Sequence, residues 1–150
     1  MTIINTVNFF ESLLNKTNKK SEIKIYKDFI TILSNLKNRV LTDEQYQSIE
    51  KELDSLKLRS NTNNKKRYFS KKLNAFKRYL NDEFSLISEG YYAAIGIGIG
   101  MSLGVAIGAS FGKSTGIALG ISFGMIIGLV IGRHKDNEAE KQGRVLKTKL

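Results

Sequence analysis

The sequence predicts an all-α chain in two unlike parts. Residues 1–90 read as a basic bundle of amphipathic helices, residues 91–132 as a hairpin of two membrane-spanning helices, and residues 133–150 as a basic tail. Three observations carry this. Apolar residues recur at helical spacing in four separate stretches of the first part, and the chain has no proline to break them. Residues 91–132 contain a single charge, Lys113. Within that stretch a glycine stands at every fourth position: Gly96, Gly100, Gly104, Gly108, Gly112, Gly116, Gly120, Gly124, Gly128 and Gly132.

In residues 2–16, Ile3, Val7, Phe10 and Leu14 share one helical face, with Phe9 and Leu13 beside them. The polar run 15–20 is expected to turn. Tyr26, Phe29, Ile30, Leu33, Leu36 and Val40 then form the stripe of a second helix. Thr42-Asp43-Glu44-Gln45 reads as a capping box, in which Thr42 caps the third helix, Gln45 reaches back, and the two acids favour the helix dipole. Tyr46, Ile49, Leu53 and Leu56 supply its buried face. Arg59–Asn64, with three asparagines, is expected to be a linker. The fourth helix carries Phe69, Leu73, Phe76 and Leu80 at alternating spacings of four and three, a pattern that wants a partner groove. Core packing in a small antiparallel bundle, or in a looser helical array, accounts for all four stripes.

The glycine-rich stretch fits that bundle badly, because each helical glycine costs roughly 0.5–1 kcal/mol relative to alanine. A bilayer suits it better, since small residues there let helix backbones approach closely. Ser88, Glu89 and Gly90 interrupt the preceding pattern, and Tyr91 and Tyr92 stand where a span would enter the headgroup layer. As one helix, residues 91–132 would run about 63 Å, twice the roughly 30 Å of hydrocarbon. The stretch must therefore fold back. The turn is expected at 112–116, because a lysine at mid-bilayer costs roughly 2.5–3.5 kcal/mol. The spans are then 91–111 and 115–132. Small and large residues also alternate with period two, but the arms are too long for membrane strands and glycine is depleted in strands, so helices are preferred. On a helix, Gly100, Gly104 and Gly108 form one row, and Gly98, Ser102, Ala106 and Ser110 form another about 200° away. The second arm continues them through Gly116, Gly120 and Gly124 and through Ser114, Ala118 and Ser122. One span could thus pack closely against two neighbours.

Residues 96–132 resemble glycine-zipper two-span membrane proteins of bacteria, which share a packing device and no single activity. The resemblance implies a helical hairpin that self-associates, and it extends to nothing in residues 1–90. Catalytic readings fail on the residues themselves. Gly108–Ser114 has three residues between its glycines where a phosphate-binding loop needs four. His134 is the single histidine and there is no cysteine, so neither a histidine triad nor a thiolate metal site can be built, and no cofactor is expected. Asp43–Glu44 and Asp82–Glu83 are sequence neighbours, which do not face each other on a helix.

The net charge of +10 is placed on either side of the hairpin. Lys65, Lys66, Arg67, Lys71, Lys72, Lys77 and Arg78 occur with no acid among them, and the tail holds six basic against three acidic residues. The basic helix has three readings: a solvated surface, contact with an anionic surface, and a nucleic-acid patch, the last supported only by charge and by Tyr68, Phe69 and Tyr79. No secretory signal pattern is visible near Met1. Basic residues cluster at the outer ends of both spans, so both termini are expected in the cytoplasm and the turn outside, with the protein in the cell membrane. The expected function is non-enzymatic: a hairpin, embedded in the lipid bilayer, that anchors and homo-oligomerises a cytoplasmic domain for an unknown protein partner. A pore-forming or membrane-permeabilising protein and a membrane-associated immunity-type protein are the alternatives.

Overall fold

The structure, a computed structural model, describes residues 1–60, 63–111 and 114–146. Asn61 and Thr62 of the expected linker, Gly112 and Lys113 of the expected turn, and the tail from residue 147 lie outside the described residues. The fold is all-α, as expected, with six helices and two strands of two residues each among the described residues. The chain divides into two compact units, Met1–Leu86 together with Leu146, and Ile87–Val145.

The first unit contains α1 (Ile3–Leu14), α2 (Lys20–Lys37), α3 (Asp43–Ser55) and α4 (Lys65–Phe84). Three of these helices start at a residue whose side chain satisfies a free backbone N–H. The Thr2 hydroxyl accepts from Asn5, the Asn64 side chain accepts from Arg67, and Thr42 and Gln45 form both bonds of the expected capping box, at 3.3 and 3.0 Å. α2 packs against both α1 and α4, and α1 also touches α3. Position in the bundle sets the width of each buried face. Helix α4 buries the expected row Phe69, Leu73, Phe76 and Leu80, whereas the central α2 buries Ile25 and Ile32 in addition to Tyr26, Phe29, Leu33 and Leu36. The centre is aromatic: Phe10 stacks on Phe29 with centroids 4.3 Å apart, and Phe69 meets both Phe10 and Tyr26 edge-on. Val40 corrects the expected stripe of α2. The helix ends at Lys37, so the periodicity runs three residues past the hydrogen-bonded turns, and Val40 is fully exposed.

The second unit contains β1 (Ile87–Ser88), α5 (Tyr91–Ala109), α6 (Ser114–Lys141) and β2 (Val145–Leu146, the last residue belonging to the first unit). Helices α5 and α6 pack along each other as a hairpin. By helical rise α5 is about 28 Å long, close to the thickness of a hydrocarbon layer. Both helices are long and apolar enough to cross a membrane. Helix α6 does not stop at Gly132. It continues to Lys141, so residues 133–141 are helical turns rather than tail, in a segment free of glycine and proline where His134 and Glu138 pair across one turn at 3.5 Å. Gly143 ends the helix with φ +68°, and the Arg144 N–H returns to the Ala139 carbonyl at 2.9 Å, a Schellman-type stop.

Candidate functional site: a glycine seam and its aspartate cap

The glycines of α5 and α6 face each other inside the hairpin. Gly96 opposes Gly128, Gly100 opposes Gly124, Gly104 opposes Gly120, and Gly108 opposes Gly116. A Cβ built on any of the eight would run into the backbone carbonyl of its opposite number; at Gly104, for instance, it would lie 2.6 Å from the Gly120 carbonyl carbon. The helices are therefore closer than any residue with a side chain permits. The opposing carbonyl oxygen lies where a Cβ would stand, reciprocally in every pair, so a glycine Cα hydrogen takes that place. Such Cα–H···O contacts contribute roughly 0.5–1 kcal/mol each. Gly132 lies against Tyr92 and Ala93, beyond Gly96, the first glycine of α5. Of the ten expected packing glycines, nine line this seam, and Gly112 lies outside the described residues.

One turn beyond Gly132, the same row of α6 presents Asp136. Its two carboxylate oxygens accept hydrogen bonds from the backbone N–H groups of Tyr92 and Ala93, both at 2.9 Å. These are the second and third residues of α5, the donors that an N-cap side chain would satisfy. The residue in the N-cap position is Gly90, with φ +74° and no side chain to offer. Asp136 thus caps α5 from the other arm, with charge assistance from the carboxylate and from the positive end of the helix dipole. The Ile87 N–H donates to the Arg144 carbonyl at 3.0 Å in the paired strands, so the chain entering the hairpin is bonded to the chain leaving it.

The seam has unlike flanks. On one, Met101, Val105, Ile117 and Met125 stand about 40% exposed or less; on the other, Leu103, Ile107, Phe111, Leu119 and Phe123 stand 60–72% exposed around an apolar groove of about 630 Å³ floored by glycine backbone. The second small row, which includes Gly98, Ser102, Ala106 and Ser110, is exposed, and a Cβ at Gly98 would meet nothing. The Ser102, Ser110 and Ser122 hydroxyls donate to carbonyls one turn back, at Gly98, Ala106 and Ala118. Those serines hold their hydrogen bonds within their own helices.

The seven expected basic contact residues all lie on α4. Lys65, Lys66, Arg67, Lys71 and Arg78 are exposed, Lys77 is half-buried, and Lys72 sits over the Tyr68 ring at 5.4 Å from its centroid. None of the seven is ion-paired among the described residues. Sequence periodicity located the glycines and the basic helix but not Asp136. The available signal was its place four residues after Gly132, together with a facing helix that begins at a glycine. No protein-family model, curated protein or solved structure matches the chain.

Proposed function

We propose that the protein is a non-enzymatic integral membrane protein in which the α5–α6 hairpin anchors the N-terminal helical domain to the bilayer. One observation carries the reading. The outward faces of both hairpin helices are made of large apolar side chains in the open, among them Ile99, Leu103, Ile107, Leu119, Phe123, Ile126, Ile127, Val130 and Ile131, each more than half exposed. An apolar surface of that extent is unusual on a soluble monomer and marks contact with a membrane or another protein. Lipid is favoured because the hydroxyls of Ser102, Ser110 and Ser122 are satisfied within their own helices, as a bilayer requires of polar groups. The charged turns from Arg133 onward fit the cytoplasmic headgroup side, with the tip of the hairpin across the membrane.

The glycine-zipper resemblance is retained here as a packing mode with its seam inside one chain. Self-association of hairpins, the other half of that resemblance, must then use the exposed row through Gly98 and Ser102, since the Gly100–Gly104–Gly108 row is occupied by α6. The deciding experiment is extraction of membranes from bacteria expressing the full chain. Retention in the pellet through alkaline carbonate, with release by detergent, is the expected result. Release by carbonate alone would remove the anchoring function.

A further inference from the structure

We propose that the exposed basic face of α4, from Lys65 to Arg78, is a docking surface for anionic lipid headgroups, an inference that rests on the membrane reading above. The charges of this helix run against its own dipole. Lys65, Lys66 and Arg67 occupy its first turn, where the partial positive charge of the helix end disfavours cations, and no basic residue occupies its last turn, which holds Asp82 and Glu83. Helix α3 of the same domain follows the usual rule, with Asp43 and Glu44 in its first turn. No ion pair offsets these cations among the described residues, and the Asn64 side chain that caps the helix brings no charge. An external anion reverses the balance: side-chain cations and helix dipole then attract the same group.

The geometry agrees. Arg67, Lys71, Asn74 and Arg78 are exposed and recur at spacings of four, three and four, on the face opposite the buried row Phe69, Leu73, Phe76 and Leu80. With Asn64 and Ser70 they line a shallow groove of about 740 Å³. The first carboxylate on that face is Asp82, at the far end of the helix. Lipid is favoured over nucleic acid because the aromatic rings that would stack on bases are committed to the domain. Phe69 is buried, the Tyr68 hydroxyl donates to the Lys57 carbonyl at 2.6 Å, and the Tyr79 hydroxyl is bonded to Ser48 at 2.7 Å. Only residues 85–90 join α4 to α5, so for an inserted hairpin the headgroup contact is intramolecular and modest intrinsic affinity suffices.

The test uses the full chain, which has no cysteine of its own, in vesicles of phosphatidylcholine alone or with phosphatidylglycerol. A fluorophore on Asn74→Cys reports α4, and one on Leu103→Cys reports insertion of the hairpin. Expected is protection of the position-74 probe from an aqueous quencher only in the anionic vesicles, reversed by salt. Each basic residue near such a surface is worth roughly a fivefold change in partitioning, so Arg67→Gln, Lys71→Gln and Arg78→Gln together should lower docking roughly 100-fold. Arg67→Lys with Arg78→Lys should preserve it. If the position-103 probe is shielded while the position-74 probe ignores phosphatidylglycerol, the docking surface is wrong and the anchor stands. If the position-103 probe is itself in water, the membrane reading fails and this inference with it. If short single-stranded RNA binds the protein in phosphatidylcholine vesicles, and the triple substitution abolishes that binding, α4 is a nucleic-acid surface and the lipid proposal is overturned.

Discussion

Two side chains carry most of what is unusual at the scale of single residues. Asp136 supplies α5 with the cap that Gly90 lacks, and loss of a capping side chain costs about 0.5–2 kcal/mol. Asp136→Ala should therefore speed hydrogen exchange at Tyr92 and Ala93 in detergent micelles, with Asp136→Asn intermediate because its amide offers one acceptor oxygen in place of two. Unchanged exchange in the alanine variant would mean that the cap contributes nothing. Tyr26 is the opposite case. Its hydroxyl is buried with no hydrogen-bond partner among the described residues, and burial first, then the charge of Glu22, pushes the phenol above its ordinary value near 10. Removing an unsatisfied buried group is neutral to favourable, so Tyr26→Phe should gain up to about 1 kcal/mol. The folded state keeps the Tyr26 proton longer than the unfolded chain does. Stability from this residue is therefore intact below pH 10 and lost as pH rises toward the folded value. Urea denaturation followed by circular dichroism should show the advantage of the phenylalanine variant widening above pH 10.

At the scale of elements the two rows of small residues make a matched pair of tests. Gly104→Leu places a side chain against the Gly120 backbone and must part the helices, a strain of about 1–3 kcal/mol or more, whereas Gly98→Leu meets open space. Cysteine pairs introduced across the hairpin should crosslink in the Gly98 variant and fail in the Gly104 variant; equal crosslinking would show that the seam is not what holds the arms. Thr42→Ala removes the capping box of α3 and should cost the helical domain about 1 kcal/mol. That box was legible from four consecutive residues, because its donors and acceptors lie within one turn. The buried rows of α3 and α4 were legible for the same local reason. The broad burial of α2, reaching Ile25 and Ile32, was not, since it follows from having neighbours on two sides. Asp136 was hidden for a related reason: nothing near it in sequence needs a cap, and its partner lies 44 residues away.

For the whole molecule, the proposed topology puts the tip of the hairpin across the membrane from the helical domain. An impermeant thiol reagent applied to intact cells should label Phe111→Cys and spare Ser60→Cys, and the reverse pattern would invert the protein. The seam has one further property, which concerns information rather than energy. Its two arms repeat with the same four-residue period, so sliding α5 along α6 by one repeat, about 6 Å, would bring glycine opposite glycine again. The seam is thus a ruler without a zero. Asp136 is the mark that supplies one, because only a single register sets its carboxylate on the amides of Tyr92 and Ala93. Removing that mark should leave a hairpin that still closes but is read at more than one position.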